Sequence, residues 1–173
     1  MIKNIKIGKK DYILKNTASV LLIYKNQFGT DYLEDVLHIS TLECVKNTRQ
    51  IGVIGYQLLW SMLKAGNSDI PDPDVFYSEI PTDQLTDLIN LAGNFFLKTF
   101  PKVQEGKNEA DNSPLTAESL SVCCTSCGLT LHDMENYTLD FVIGYIDKYV
   151  DFKDPEKNKP AKRKATQTDF DRF

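Results

Sequence analysis

The sequence predicts a mainly α protein (α+β), with an N-terminal β-hairpin packed on a helical bundle and a small helical C-terminal unit. Three observations carry this. Residues 1–15 alternate apolar and charged side chains around a Gly-Lys-Lys turn. From residue 16 to about 100, apolar side chains recur at spacings of three and four. After a polar stretch with no period, the helical spacing resumes over 115–152. Hydrophobic residues make up 42% of the 173 and charged residues 25%. That is the balance of a chain that buries a core, not of a disordered one.

The opening "IKNIKIGKKDYILKN" places Ile2, Ile5, Ile7, Tyr12, Ile13 and Leu14 around Gly8-Lys9-Lys10, which reads as two short strands in a hairpin. A lone hairpin is marginal in water, so it must lie on something else. In "NTASVLLIYKNQFG", Val20, Leu21, Tyr24 and Phe28 share one helical face, with Asn16 or Thr17 as the cap and Gly29 as the stop. "TDYLEDVLHIS" repeats the device. Thr30 is the expected cap, Asp31, Glu34 and Asp35 load the positive end of the helix dipole, and Leu33, Val36 and Leu37 form the apolar side.

"NTRQIGVIGYQLLWSMLKAG" reads as the central core helix, with Ile51, Ile54, Leu58 and Met62 in one stripe and Leu59 and Leu63 beside it. Gly66 is its stop, and Gly52 and Gly55 predict a close neighbour. Asp72-Pro73 reads as cap and first position of a short turn. Pro81 sets Ile80 extended, and Thr82 is expected to cap a helix carrying Leu85, Leu88, Ile89, Ala92, Phe95, Phe96 and Phe100. The organisation predicted is a hairpin-plus-helix unit over 1–101, a linker at 102–114, a small helical unit at 115–152 and a basic, disordered tail at 153–173.

Three of the four cysteines lie within "SVCCTSCGLT". Leu120, Cys123, Cys124 and Cys127 follow i, i+3, i+4, i+7, so they read as one buried apolar stripe, extended backwards by Ala117. Their spacing matches no closed zinc site. A redox pair at Cys124 and Cys127 would sit at the C-terminal end of its helix, where the dipole opposes the thiolate. His38 and His132 have no Ser/Asp or Cys partner in a nucleophile pattern, and read as surface or partly buried residues. No glycine-rich phosphate loop follows a strand, and "DPDVFYSE" lacks the glycine and glutamate of a calcium loop. No cofactor or metal is therefore expected. The acid pairs Asp72/Asp74 and Asp83/Asp87 read as caps and solvated faces.

The net charge of −4 gives nucleic acid no general electrostatic attraction. Six basic residues against two acids over 153–164 give +4 locally, which leaves −8 on the rest. With flanking acids and no interleaved aromatics, "KNKPAKRK" reads as a solvated tail. No apolar run reaches the length of a membrane span, and the alternating opening is unlike a secretory signal, so reduced thiols in a cytosol are expected. Tyr56, Trp60, Phe95, Phe96 and Phe100 fall at helical spacing. That pattern serves a core and a protein interface equally, because aromatics are favoured in both.

With chemistry set aside, the order of elements resembles the tail assembly chaperones of long-tailed bacteriophages, of the type found in phages or prophages of Gram-positive hosts. Their opening pattern "I-x-I-G-x-K-x-Y-x-L", then a helix ending in "F-G", is matched by Ile5, Ile7, Gly8, Lys10, Tyr12, Leu14, Phe28 and Gly29. The stretch "CGLTLHDMENYTLDFVIGYIDKYVDF" is similar to the small second unit of the longer forms, through Thr138, Leu139, Asp140, Phe141, Ile143 and Gly144. The Cys-rich helix and the basic tail have no counterpart in that pattern.

The resemblance implies a non-enzymatic protein of the host bacterial cytoplasm, absent from the mature virion. It would bind the tape-measure protein, keep it soluble and help recruit tail-tube subunits, with self-association as a further property. It points to Tyr24, Phe28, Tyr32, Tyr145 and Tyr149 as partner-binding residues, and to Glu105-Gly106-Lys107 as the place where a ribosomal frameshift would join the two forms. The rival readings are a structural tail or connector subunit and a small regulatory DNA-binding protein.

Overall fold

The computed structural model describes residues 1–40, 48–98 and 116–153. The expected linker, nearly all of the basic tail, Cys44, Phe100 and Pro101 lie outside them, as does the side chain of His38. Among the described residues the chain forms one antiparallel hairpin and eight helices, the mainly α architecture with an N-terminal hairpin that the periodicities predict.

Strands β1 (Ile2–Ile7) and β2 (Lys10–Lys15) pair in the register Ile5↔Tyr12 and Ile7↔Lys10. Gly8 turns the chain at φ 58°, a conformation that only glycine takes without cost. Ile5, Ile7 and Leu14 point inward, with Tyr12 set edge-on to Phe76 at 5.7 Å. The hairpin lies against α3 (Thr48–Gly66), which supplies the missing apolar surface. The outer edge of β2 is closed by a side chain: the amide of Asn67 accepts from the Ile13 N–H at 3.1 Å and donates to the Ile13 carbonyl at 2.8 Å.

Helix α1 (Ser19–Phe28) stops at Gly29, φ 74°, as its sequence predicts, but neither Asn16 nor Thr17 caps it. Asn16 is buried and donates to the Phe95 carbonyl at 2.8 Å, and the Thr17 hydroxyl pairs with Ser19. The core claimed both side chains before the helix end could use them. At α2 (Tyr32–Ser40) the cap is Asp31 instead of Thr30. Asp31 accepts from the Leu33 N–H at 3.0 Å, while Thr30 donates to Asp35. Val36, expected on the apolar side, faces out.

Helix α3 is buried in its second half, where Leu58, Leu59, Trp60, Met62 and Leu63 form the centre of the core. Its first turns rise out of the core, so Ile51 is exposed and Ile54 only half-buried. Gly55 meets the predicted close neighbour, since a Cβ there would come within 2.5 Å of Ile89 Cγ2. Gly66 carries more than a stop signal: a side chain there would strike the Ile13 carbonyl of β2. Helix α4 (Pro73–Glu79) starts with proline at its first position, and α5 (Thr82–Leu97) follows the extended Ile80. Thr82 is the first residue of α5 and not its cap, a place taken by Pro81. Leu88, Ala92, Phe95 and Phe96 turn α5 onto α3.

Helices α6 (Ala117–Ser126) and α7 (Leu131–Asn136) pack onto α1, and α8 (Leu139–Lys153) onto α6; Ala117, Leu120, Cys124, Met134, Leu139 and Val142 join the same apolar cluster. Three polar ties hold them there. The buried Asp31 carboxylate accepts from the Ala117 N–H at 2.6 Å, Lys25 pairs with Glu118 at 3.0 Å, and the Ala18 N–H donates to the Tyr137 carbonyl at 2.9 Å. Asp31 thus caps α2 with one oxygen and serves the first turn of α6 with the other. Capping boxes at Thr116/Ser119 and Thr130/Asp133 start α6 and α7.

Candidate partner-binding surface

The described residues hold no cluster of three or more His, Cys, Asp or Glu side chains able to hold a metal ion. Cys124 and Cys127 are buried, as the stripe predicts, but Cys123 faces solvent. The helix turns its stripe slightly past Cys123, because Leu120 and Cys124 point most directly at the core. Burial pushes the thiols of Cys124 and Cys127 up, which keeps them protonated and poor nucleophiles. His132 is exposed beside Glu135 and Asn136 in the first turn of α7.

The five residues expected to bind a partner separate into three environments. Tyr24 and Tyr32 are buried, with rings edge-on at 5.4 Å, and Tyr32 also meets Phe96 at 4.8 Å. The Tyr24 hydroxyl lies 2.8 Å from both Asp35 Oδ2 and Gln57 Oε1. The phenol O–H is the donor towards both, and the Asp35 carboxylate and the Gln57 amide oxygen share its one proton. Burial, followed by the Asp35 hydrogen bond, drives the Tyr24 phenol above its ordinary value, and burial pushes Tyr32 up to about 12. Both rings support the surface from beneath and do not form it.

Phe28 is half-buried, edge-on to Tyr24 at 5.2 Å and to Trp60 at 5.7 Å, and its free side lines an open groove. Tyr145 and Tyr149 lie elsewhere, on α8. No ring contact among the described residues joins them to the Tyr24–Phe28–Tyr32 group.

The groove has a volume of ≈ 510 Å³ and runs between the raised start of α3, the start of α4 and α5. Phe28, Val53, Tyr77, Leu85 and Ile89 line it, and Gly52 leaves room in its wall. Val53 is 49% exposed and Tyr77 51% exposed. Tyr56 stands edge-on to Tyr77 at 5.0 Å and donates its hydroxyl to the Pro73 carbonyl, which pins α4 to α3. Burial, with the Asp74 carboxylate second, raises the Tyr56 phenol, so it stays a hydrogen-bond donor and not an acid. Arg49, Asp74 and Gln57 are the polar lining. The result is an apolar trough with charges of both signs at its margin. It holds no nucleophile–base pair.

Of the five residues expected from the sequence only Phe28 lines this groove; Val53, Tyr77 and Arg49, which line it too, were not singled out. The signal available was the pair of glycines at 52 and 55, beside apolar residues that the core helix does not need. Helix α8 exposes Phe141, Tyr145 and Phe152, with the Phe141 ring against Tyr137 at 4.6 Å, while Tyr149 lies beneath the Lys153 ammonium. Among the described residues no helix is long and apolar enough to cross a membrane. No family model, curated protein or solved structure matches this chain.

Proposed function

We propose that this protein is a phage tail assembly chaperone that works by binding, without catalysis, in the cytoplasm of a bacterial host. Its partner is an amphipathic helical segment of a tape-measure protein, laid into the α3–α4–α5 groove. The single observation that carries the reading is that groove: apolar along its length, open at the surface, and rimmed by Arg49 and Asp74. Helix-in-groove recognition uses this arrangement, with the apolar face of the ligand buried and its polar face in water. A small-molecule site would bring several polar groups together at its floor. Here the charged groups, Arg49 and Asp74, are exposed, and the polar side chains further in, Tyr56 and Gln57, are already engaged within the fold.

Large exposed apolar side chains are a liability for a free protein and an asset for one that shields another's apolar helices. The sequence pattern over the hairpin and α1 supports the same reading.

The test is direct. Val53→Asp and Tyr77→Asp place charges in the groove at exposed positions, so the fold should survive. Each should weaken binding of amphipathic helical peptides from the tape-measure protein at least ten-fold. Unchanged binding by both variants would sink the proposal.

A further inference from the structure

The hairpin has two outer edges, and the fold closes only one of them. Met1 and Asn16 exchange backbone hydrogen bonds at 2.9 and 2.8 Å, so the directly bonded pairs of the register are Lys3–Leu14, Ile5–Tyr12 and Ile7–Lys10. The alternation then turns the N–H and C=O of Ile2, Asn4 and Lys6 away from β2, to the outer edge of β1. On β2 it turns out those of Ile13, and Asn67 meets both. On β1 nothing among the described residues bonds to the outward groups. Ile2 is 64% exposed, and Lys3, Asn4 and Lys6 are exposed beside it.

The same edge is basic. Residues 1–15 hold five lysines against one acid, Asp11, in a chain whose net charge is −4. Lys10 pairs with Glu79 at 3.5 Å. Lys3, Lys6 and Lys9 form no ion pair among the described residues, although Asp11 stands opposite Lys6 in the register. Lysines on an open edge repel other lysine-edged strands, which protects a free protein from edge-to-edge pairing. They do not repel an acidic strand, so the same side chains select as well as protect.

We propose that the free edge of β1 is a second binding site, independent of the groove, which takes an extended acidic segment of a partner protein as a third strand. Main-chain hydrogen bonds to Ile2, Asn4 and Lys6 hold such a strand, and the side chains flanking the edge choose it. A phosphate backbone would answer the lysines but has no donor for the outward carbonyls, which a peptide strand supplies. In the antiparallel register each incoming residue shares a face with the residue opposite. Acids belong opposite Lys6 and Lys3, and apolar residues opposite Ile5 and Ile2. The segment therefore reads acid–apolar–any–acid–apolar from its N-terminal end. Residues 166–173 of this chain, TQTDFDRF, hold only a partial match, with Arg172 where the second acid belongs.

The experiment is an NMR titration of the full chain with two capped peptides, acidic TDVQEVT and its basic twin TKVQKVT. A five-residue strand makes few contacts, so the acidic peptide should saturate with a Kd at or below about 1 mM. The Asn4 and Lys6 amides should shift and exchange more slowly when it is bound, and the basic peptide should leave them unchanged. Asn4→Pro removes one outward N–H and leaves the bonds to β2 in place, so it should weaken binding about ten-fold or more. Lys3→Glu/Lys6→Glu, at exposed positions, should reverse the preference and bind the basic peptide. Val53→Asp/Tyr77→Asp should bind the acidic peptide as wild type does, because the groove takes no part.

An acidic peptide that leaves the Asn4 and Lys6 amides unmoved overturns the proposal. So do equal binding of the two peptides, and a double glutamate variant that keeps the wild-type preference. Edge amides already protected in the free chain, and released when residues 166–173 are deleted, would assign the edge to this chain itself and overturn it as well.

Discussion

Replacing Asp31 by alanine should unfasten the C-terminal helices from the rest of the molecule. Its carboxylate is 2% exposed and accepts from two helix starts, the Leu33 N–H at 3.0 Å and the Ala117 N–H at 2.6 Å. Loss of an N-cap acceptor costs about 0.5–2 kcal/mol. A buried N–H left without a partner costs about 1–3 kcal/mol more. The sum is roughly 1.5–5 kcal/mol, or about 3–20 °C in Tm for a chain of this length.

Asparagine at this position would be no rescue, and Asp31→Asn therefore sharpens the test. The amide keeps one acceptor for α2 but turns an NH₂ towards Ala117, donor against donor. Its loss should be intermediate. Thermal unfolding gives the magnitude, and hydrogen exchange gives the place: amides of α6 from Ala117 to Leu120 should lose protection first. An alanine variant within about 0.5 kcal/mol of wild type would refute the reasoning. So would faster exchange confined to α2.

Gly66→Ala forces a side chain into the Ile13 carbonyl and should cost about 1–3 kcal/mol, the usual range for overpacking. Gly55→Ala brings its Cβ to 2.5 Å from Cγ2 of Ile89, a β-branch methyl that cannot swing away within α5, so it should also cost about 1–3 kcal/mol despite its gain in helix propensity; chemical denaturation checks both variants. Tyr24→Phe leaves Asp35 and Gln57 without the hydroxyl between them and should destabilise by about 1–3 kcal/mol, read from the same curves. The Lys25–Glu118 pair should show in NMR titration. Its mutual hydrogen bond holds the Glu118 carboxyl below its ordinary value and the Lys25 ammonium above its own. The stabilisation is thus complete between the two unfolded values. It is lost as pH falls through the lowered Glu118 value, and again as pH rises through the raised Lys25 value. Glu118→Gln should return Lys25 towards an ordinary lysine, and a Glu118 titrating at the ordinary glutamate value would contradict the pairing.

Local signals were legible wherever the physics is local. Gly8 and Gly29 needed a positive φ that other residues avoid, and Asp72-Pro73 set the start of α4 through fixed dihedrals. The buried half of α3 followed from its period, as did the burial of Cys124 and Cys127. What failed was decided by tertiary contacts. Asn16 looked like a cap because its type favours caps, but the Phe95 carbonyl needed a donor inside the core. Thr30 was a better cap by position than Asp31 until Ala117, 86 residues away, drew the carboxylate inward.

The candidate site was the least legible part. Tyr24, Tyr32 and Phe28 share one aromatic pattern, yet the structure buries two and opens the third to a groove. Periodicity records that a face is apolar and says nothing of what covers it. The groove itself joins Arg49 and Val53 to Tyr77 and Ile89, and that closeness exists only once α3 and α5 have packed.

The most direct measurement is co-expression with the tape-measure protein, followed by quantitation of how much of that partner stays soluble and co-purifies. The account predicts a tape-measure protein that is insoluble alone, soluble in the presence of this chain, and insoluble again beside the Val53→Asp/Tyr77→Asp variant. A tape-measure protein that gains no solubility from the wild type, or gains as much from the variant, would contradict it.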